Sequence, residues 1–325
     1  MNKIESQLWK APHPEYLPNF IIGGAMKCGT TTLHHMLATH PDVFMPKEEI
    51  HFFDIDNILQ HADFNHHEGG VWISQSMQEH PEKLWNWYAE KFKANQEKLC
   101  GEDSTTYLAS ETAAQRIAMQ EKSIKLLFLL RQPTNRAYSH YYHLLRTGRA
   151  MYDFEETIRF SPHSILERSL YKEQLENWYK HIPKERIKVI VFEQFIKNPR
   201  AALTDICNYL KLDPSKFPET TFELHANKAR LPKSMNLQLQ RNKVLRSLSS
   251  HHYKGKLPIS WNAQEKNVFT KRLVNKTHAK LNPKKIEKPQ PINQNTKNFL
   301  DSFFARRLEG LNELIGLDVM SLWFP

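Results

Sequence analysis

The sequence has 325 residues, 40% of them hydrophobic, so the chain is long enough to bury the core of one large α/β domain or of two small ones. Lysine and arginine total 45 against 35 acidic residues, and residues 241–290 alone carry 13 basic and two acidic residues. A basic segment can bind nucleic acid, but no RNA-recognition motif, zinc finger or aromatic-rich basic surface accompanies it. We therefore interpret 241–290 as a solvated helical face and expect no nucleic-acid partner.

The composition also argues against membrane, secretory and metal-binding classes. No run of about 18 apolar residues occurs, so no membrane span is expected. Residues 1–18 are polar and lack the apolar core of a signal peptide, so we expect a flexible lead-in and a cytoplasmic protein. The cysteines, Cys28, Cys100 and Cys207, are far apart and form no C-x-x-C motif, so neither a disulfide framework nor a metal site is expected.

Apolar runs and turn residues predict an alternation of strands and helices. Strands are predicted at 20–24, 43–45, 124–130 and 187–192, and helices at 31–39, within 72–92, and at 112–120, 135–145, 170–181, 199–210 and 293–314. The run 124–130 is almost wholly apolar, as in a parallel strand that is buried on both faces. The alternation predicts a doubly wound, mostly parallel α/β sheet, whose ligands bind at the carboxyl ends of its strands.

One stretch near the start carries the clearest chemical signal. Its apolar strand leads through two glycines to a lysine, a third glycine and three threonines, where a helix begins. Backbone amides at a helix N-terminus, a lysine and hydroxyl groups all favour a bound anion. An ordinary strand-to-helix turn with a solvated lysine is the alternative. The predicted phosphate- or sulfate-binding loop consists of Lys27, Cys28, Gly29, Thr30, Thr31 and Thr32.

The order of residues in this loop separates two classes of nucleotide-binding protein. In a Walker-type loop the lysine follows the last glycine, whereas Lys27 precedes Gly29 in the order K-x-G-T-T. This order resembles the loop of sulfotransferases that use 3′-phosphoadenosine 5′-phosphosulfate (PAPS). A nucleotide-binding kinase is the alternative, and magnesium-dependent ATPase activity would favour it.

A second stretch, residues 126–141, resembles the second PAPS motif of the same family. In that motif an arginine at the strand end and a serine eight residues later bind the 3′-phosphate, and Arg131 and Ser139 have this spacing. An arginine offers two parallel donors to a phosphate, and Ser139 lies about one turn into the following helix. A strand-end arginine in an ordinary salt bridge is the alternative.

A third stretch, Glu48-Glu49-Ile50-His51-Phe52-Phe53-Asp54, resembles the E-x-H-F-F-D sequence of the heparan-sulfate-modifying branch and its bacterial relatives. The resemblance implies that Glu49, two residues before the histidine, is the catalytic base, and that Glu48 is not. His51 is the second catalytic candidate, because cytosolic members use a histidine base, although theirs lies elsewhere in the chain. A structural hydrogen-bonding role is the simpler interpretation of His51.

The resemblance covers residues 19–323 and is weak over 241–290, so we interpret 19–325 as one sulfotransferase domain. The family takes a third cofactor contact from a basic stretch, for which Lys228 and Arg230 are the candidates, although the Arg-Lys-Gly of cytosolic members is absent. The implied reaction moves a sulfuryl group from PAPS to a hydroxyl or amine and releases PAP, with no metal. Lys27 would stabilise the negative charge on the leaving phosphate oxygen.

The acceptor, the one partner expected, is predicted to be a small intracellular molecule. Glycan-acting relatives often have a lysine after the glutamate of G-E-K-[ST]-P-x-Y, whereas here Asp103 follows Glu102. An acidic residue facing the acceptor would disfavour a polyanionic glycan, which is the alternative acceptor. A nucleic-acid-binding protein that uses the basic segment is the remote alternative, and salt-sensitive duplex binding that survives loss of the loop would favour it.

Overall fold

The computed structural model of the chain describes residues 3–223, 230–246, 255–261, 268–287 and 289–325. Its strands are β1 (Phe20–Gly24), β2 (Val43–Phe44), β3 (His66–Glu68), β4 (Val71–Ile73), β5 (Leu99–Asp103), β6 (Lys125–Leu130), β7 (Ile187–Val191), β8 (Arg230–Pro232) and β9 (Lys284–Ile286). Its helices are α1 (Lys3–Leu8), α2 (Thr30–Leu37), α3 (Pro81–Ala89), α4 (Ala113–Ala118), α5 (Pro133–Thr147), α6 (Phe154–Phe160), α7 (Tyr171–His181), α8 (Phe192–Lys197), α9 (Pro199–Leu210), α10 (Met235–Arg246), α11 (Val268–Leu281), α12 (Gln294–Arg307), α13 (Leu311–Ile315) and α14 (Met320–Trp323).

Five parallel strands form the central sheet, in the order β2-β5-β1-β6-β7. In the middle strand, β1, Phe20 lies opposite Gly101 of β5 and opposite Lys125 of β6. Every residue of β1, and every residue of β6 after the first, is buried, as in parallel sheets that helices cover on both faces. The prediction of a doubly wound, mostly parallel α/β sheet is confirmed.

The chain reverses its direction of travel across the sheet at β1. It passes from β1 to β2 and β5 on one side and then adds β6 and β7 on the other. A crevice therefore opens beyond the carboxyl end of β1, the place where ligands bind in open α/β sheets. The loop from residue 25 to residue 29 lies at this point, and α2 follows it.

Two predicted helices differ from the structure. The aromatic stretch 72–92 is helical only over α3, and its start belongs to β4, which pairs with β3 in a hairpin. The single helix predicted over 293–314 is divided into α12 and α13, because Gly310 between them adopts a left-handed conformation with φ of 83°. The stretch before it, of which 241–290 was interpreted as a solvated helical face, contains α10, α11 and β9, and β9 pairs with β8.

The residues before β1 pack onto the domain. Trp9 and Leu17 are both buried, and the guanidinium of Arg116 lies 3.6 Å from the centroid of the Trp9 ring. Gln120 Nε2 donates a hydrogen bond to the Trp9 carbonyl oxygen at 2.6 Å. These two apolar side chains hold a mostly polar segment against the domain, while the flexible lead-in stays a prediction.

Residues of α8, α12 and α14 together hold the backbone at the end of β6. The Gln132 backbone amide donates to Glu193 Oε1 at 2.9 Å, and Gln132 Nε2 donates to Asp301 Oδ1 of α12 at 2.8 Å. Trp323 Nε1 donates to the other oxygen of Glu193 at 3.1 Å. These bonds fix the backbone immediately after Arg131.

In the described part of the chain, no helix combines the length and apolarity needed to cross a bilayer.

Candidate active site

A cavity of about 1930 Å³ lies at the carboxyl ends of the sheet strands. Ligand pockets usually measure about 300–1,000 Å³, so this one has room for a nucleotide and an acceptor together. The structure brings together at this cavity three stretches that are far apart in the sequence. The predicted site residues that line it are Lys27, Gly29, Thr30, Thr31, Thr32, Glu49, His51, Arg131 and Ser139.

The loop after β1 leaves backbone donors directed to the cavity. Gly29 is the N-cap of α2 and has no side chain to cap it, so the first amides of the helix are left for another acceptor. The amides of Thr32 and Leu33 bond to the Gly29 carbonyl oxygen, whereas those of Thr30 and Thr31 find no acceptor among the described residues. Gly29 has φ of 90°, and a Cβ there would lie 2.9 Å from the Phe192 ring, so only glycine suits this position.

Lys27 is a partly buried cation in this loop. Its φ of 71° is left-handed, a conformation that non-glycine residues rarely adopt and that concentrates at functional sites. Burial lowers the pKa of the Lys27 ammonium, the charge of Arg146 lowers it further, and Glu49 acts in the opposite direction. In the described part of the protein no carboxylate forms an ion pair with Lys27. An anionic ligand would supply the missing partner.

Cys28 differs from the other loop residues. Its side chain is fully buried and its thiol lies 3.8 Å from the Tyr171 hydroxyl, away from the cavity. Its amide donates to the Ala25 carbonyl oxygen at 3.2 Å, so the amide is not available to a ligand. Burial raises the pKa of the thiol to about 11. The geometry therefore contradicts the prediction that Cys28 is a cofactor contact and makes it a core residue beneath the loop.

Arg131 and Ser139 both face the cavity from the end of β6 and from α5. Arg131 Nη1 donates to the Lys27 carbonyl oxygen at 3.3 Å, and its guanidinium lies 4.8 Å from the centroid of the Phe192 ring. None of the ion pairs among the described residues includes Arg131, so the alternative of an ordinary salt bridge has no support. A guanidinium held by a backbone bond and a ring keeps its remaining donors for an anion.

The same face of α5 carries two further residues into the cavity. Ser139, His143 and Arg146 are spaced four and then three residues apart, which places them on one side of a helix. Burial lowers the pKa of His143 to about 4, with Lys27 as the next cause, so this imidazole is neutral at neutral pH. The only bond that Arg146 makes to a described residue is its Nε donation to the Tyr142 carbonyl oxygen at 3.3 Å.

Glu49 and Glu48 have different surroundings although they are neighbours. Thr105 Oγ1 donates to Glu49 Oε2 at 2.8 Å, and His51 Nε2 lies 3.2 Å from the same oxygen. Burial alone would raise the pKa of Glu49, but the hydrogen bond and charge of His51 outweigh it and bring the pKa to about 2. Glu48 instead pairs with Lys91 at 2.7 Å on an exposed edge. Glu49 therefore stays ionised, and a hydrogen bond from the Thr105 backbone also lowers its pKa.

A buried polar cluster lies behind Glu49. Ligand atoms of His51, Asp54 and His61 all lie within 4.8 Å of one another, so this is the set of side chains that could hold a metal ion. Asp54 Oδ1 and His61 Nε2 are 2.8 Å apart, a hydrogen-bonding distance, and His51 Nε2 faces Glu49. In the structure Asp54 and His61 bond to each other, and His51 bonds to Glu49 and Thr106.

Asp103 does not face an acceptor. It is buried at the end of β5, and its Oδ2 atom lies 3.4 Å from His34 Nδ1, beneath the phosphate loop. Burial raises the pKa of its carboxyl to about 6. The prediction that Asp103 disfavours a polyanionic acceptor is therefore wrong, because its carboxylate does not line the cavity.

The third predicted cofactor contact is not described at side-chain level. Lys228 lies outside the described residues, and for Arg230 the structure gives only the backbone, at the start of β8. Other cavity residues were not predicted from the sequence, among them Thr105, His143 and Arg146. The spacing of Ser139, His143 and Arg146 on α5 could have identified two of them, whereas Thr105 meets Glu49 only through the tertiary fold.

Comparison with known proteins gives the family. Residues 18–216 match the family described as the sulfotransferase family. The chain is 31% identical over 212 residues to heparan sulfate glucosamine 3-O-sulfotransferase 5 of Homo sapiens, in an alignment covering 62% of this chain and 55% of that protein. It is 28% identical over 235 residues to bifunctional heparan sulfate N-deacetylase/N-sulfotransferase 1 of Caenorhabditis briggsae, covering 64% of this chain and 24% of that protein. The chain thus spans about half the length of the first relative and about a quarter of the second.

A solved structure supports the fold independently. The sulfotransferase from Alicyclobacillus acidocaldarius superimposes with a TM-score of 0.62 at 24% identity, covering 95% of this chain and 99% of that chain. At this identity the likeness concerns the α/β architecture alone. The family match spans more than half of the chain and includes the loop after β1, the Glu49 stretch and the end of β6. The chain therefore belongs to the sulfotransferase family and is related to its heparan-sulfate-modifying branch.

Proposed function

We propose that this enzyme transfers a sulfuryl group from PAPS to a hydroxyl or amine of an acceptor that enters the cavity beside Glu49. Membership of the sulfotransferase family makes the chain a sulfuryl-transferring enzyme. One observation carries the proposal. A single cavity at the carboxyl end of β1 is lined by cations that pair with no carboxylate among the described residues and by an ionised, hydrogen-bonded glutamate. The cavity therefore has cations that can bind an anion next to a glutamate that can accept a proton.

The residues of the loop and of β6 fit a nucleotide with two separate anionic groups. The unbonded amides at the start of α2, together with the hydroxyls of Thr30, Thr31 and Thr32, would hold the 5′-phosphate. Arg131 and Ser139 would hold the 3′-phosphate. When bound, PAPS supplies an activated sulfuryl group. The contacts predicted for Lys228 and Arg230 stay predictions.

Lys27 would stabilise the negative charge that grows on the leaving phosphate oxygen. Burial and Arg146 lower its pKa, so the free protein holds this ammonium less favourably than water does. A neighbouring anion removes that disadvantage, and the benefit grows as negative charge develops. Lys27 therefore attracts the leaving phosphate oxygen more strongly in the transition state than in the bound substrate, which is the condition for lowering the barrier.

Glu49 would accept the proton of the acceptor. The Thr105 hydroxyl and the His51 ring both approach Oε2, and Oε1 would then face the acceptor. Fixing one oxygen orients the other, and a carboxylate within hydrogen-bonding reach of a hydroxyl is a suitable general base. His51 would position Glu49 and would not remove the proton itself.

The charge of the cavity favours an acceptor with an anionic group. Arg146 has no carboxylate partner among the described residues, and Arg168 donates to Gln60 Oε1 at 2.8 Å without one. The prediction of a small intracellular acceptor no longer has the support of Asp103. An anionic glycan, the alternative from the sequence, fits these two arginines better, as do small carboxylated or sulfated alcohols.

Transfer from [35S]PAPS tests the proposal directly. The acceptor panel contains glucosamine, an N-sulfated heparan-type oligosaccharide, and small alcohols and amines with and without a carboxylate. We expect labelled product with at least one hydroxyl or amine, and higher turnover of acceptors that carry an anionic group. ATP hydrolysis with magnesium, and no label on any acceptor, would indicate a kinase-like enzyme instead. The cytoplasmic location stays a prediction, which fractionation of the source cells tests.

A further inference from the structure

A line of hydrogen-bonding groups runs from Glu49 into the core. His51 Nε2 lies 3.2 Å from Glu49 Oε2, and His51 Nδ1 lies 2.9 Å from Thr106 Oγ1. Thr106 Oγ1 lies 3.3 Å from His61 Nε2, which in turn lies 2.8 Å from Asp54 Oδ1. Behind His51 the line is buried, since the side chain of His61 is 5% exposed and that of Asp54 is not exposed at all.

The protonation states of the two innermost groups follow from their surroundings. Burial would raise the pKa of Asp54, but the charge and hydrogen bond of His61 outweigh it and lower the pKa, so Asp54 is an ionised acceptor. Burial lowers the pKa of His61, whereas the charge and hydrogen bond of Asp54 act in the opposite direction. His61 Nε2 lies 2.8 Å from Asp54 Oδ1, and a carboxylate can only accept, so we assign a proton to Nε2, which donates to Asp54.

This assignment determines what Thr106 does for His51. Because His61 Nε2 carries a proton, the Thr106 oxygen can only accept from it, and the closest acceptor for the Thr106 hydroxyl proton is His51 Nδ1 at 2.9 Å. A neutral His51 ring that accepts at Nδ1 carries its proton at Nε2, facing Glu49. When the His51 ring is protonated, Nδ1–H donates to the Thr106 oxygen and Nε2–H still faces Glu49. In both states the donor to Glu49 is the same.

We propose that Thr106 and His61 are positioning residues of this enzyme, which fix the tautomer and the orientation of His51 so that it donates to Glu49 Oε2 and leaves Oε1 to the acceptor. The inference rests on the proposed role of Glu49 and deepens it. Neither Thr106 nor His61 touches the reacting groups, and each acts through the ring of His51. The partner that orients a ligand or base is commonly a buried group one step removed from the chemistry.

Two further contacts support a positioning role. The His61 ring stacks on Phe64 with centroids 4.2 Å apart and an interplanar angle of 11°, so packing holds its orientation. The backbone of His51 is held in a left-handed conformation with φ of 56°, and its amide donates to Ser104 Oγ at 2.8 Å. A strained backbone at His51 persists only where the surroundings determine its conformation.

The test compares Thr106→Val with Thr106→Ser. Valine keeps the shape of the side chain and removes the hydroxyl, whereas serine keeps the hydroxyl. With [35S]PAPS and the best acceptor of the panel, we expect Thr106→Val to lower kcat about tenfold, the loss expected for one hydrogen bond, with the KM for PAPS unchanged. Thr106→Ser should restore kcat to near the wild-type value. Thr157→Val is the matched control, because its buried hydroxyl bonds to the Asp153 carbonyl oxygen far from the cavity.

A spectroscopic measurement separates positioning from general destabilisation and needs no acceptor. In [15N]histidine-labelled protein at mildly alkaline pH, the His51 signals are identified by their absence in His51→Asn. We expect one His51 tautomer, protonated at Nε2, in the wild type and in Thr106→Ser, and a mixture of tautomers in Thr106→Val. His61→Asn, the second variant in case Thr106→Val does not fold, should produce the same mixture.

The outcomes distinguish this inference from the proposed function. If kcat and the His51 tautomer are both unchanged in Thr106→Val and in His61→Asn, the positioning role is refuted while Glu49 can still be the base. If Glu49→Gln retains wild-type activity, the proposed base is wrong, whatever the His51 tautomer is. Loss of activity in Thr106→Val with an unchanged tautomer would also overturn the inference, because the loss would then come from another effect.

Discussion

Replacing Glu49 by glutamine removes a proton-accepting group while keeping the shape of the side chain. The amide oxygen can still accept from Thr105 and His51, whose donors lie 2.8 and 3.2 Å from Oε2 in the wild type. The amide nitrogen then takes the place of Oε1 and cannot accept a proton. The variant therefore tests the proton transfer itself, with little change in the positions of neighbouring groups.

The expected loss is large because no other described group can take over. His51 is directed to Glu49, and Glu48 is paired with Lys91 at the exposed edge. Loss of a general base costs about 10²–10⁴-fold in rate, or roughly 2.7–5.4 kcal/mol in the activation free energy. We expect this loss in kcat for Glu49→Gln and no change in the affinity for PAPS, because Glu49 faces the acceptor.

The assay measures initial rates of transfer from [35S]PAPS, with PAPS binding followed by calorimetry. Glu48→Gln is the control, since the Glu48 side chain is 59% exposed and a surface ion pair of this kind contributes about 0–1 kcal/mol to stability. It should have near wild-type activity. Retention of more than a tenth of the rate by Glu49→Gln, or an inactive Glu48→Gln, would refute the assignment of the base.

Three further outcomes are expected. Lys27→Ala should abolish sulfuryl transfer with no loss of fold by circular dichroism, because it removes the cation proposed to meet the leaving oxygen; wild-type turnover would contradict the assignment. Arg131→Ala and Ser139→Ala should each weaken the binding of PAP far more than that of adenosine 5′-phosphosulfate, which lacks the 3′-phosphate. Calorimetry measures both affinities, and equal losses would argue against a 3′-phosphate site. Asp103 has a carboxyl pKa raised to about 6, so its ionisation destabilises the folded state as the pH rises. Asp103→Asn should therefore gain stability over the wild type at about pH 8, by at most about 3 kcal/mol, and less at about pH 4, and equal gains in thermal melts at both values would contradict this pKa.

The strands and the loop could be predicted because they obey local rules. The apolar run that became β6 and the order of Lys27 and Gly29 are visible in the sequence itself. The strand β5 was missed because its sequence, LCGED, is not apolar. Its Glu102 is nevertheless fully buried, since Ser104 and Tyr107 each donate to Oε1 at 2.6 Å. Hydrogen bonds between buried polar groups leave no regular spacing of apolar residues in the sequence, so β5 could not be predicted from periodicity.

The surroundings of Glu49 could not be predicted because they come from the tertiary fold. Thr105 and His61 approach Glu49 and Asp54 only when the end of β5 and the segment after residue 54 fold over the same cavity. Asp103 shows a second kind of error. It occupies the expected position in the motif, but its side chain faces the core beneath α2 and not the acceptor. A motif therefore identified the chemistry, and the fold decided which neighbouring side chains take part.

If Arg131 binds the 3′-phosphate as proposed, the bonds to Gln132 make the C-terminal tail a remote determinant of nucleotide affinity. No residue after position 257 lines the cavity among those described, yet Asp301 and, through Glu193, Trp323 hold the backbone beside Arg131. Ending the chain before Trp323, or fusing a bulky tag next to it, would make that backbone less ordered. Binding of the 3′-phosphate would then weaken, while the phosphate loop and Glu49 would stay unchanged. A C-terminal extension or truncation would then change the apparent affinity for PAPS without altering any residue that contacts it.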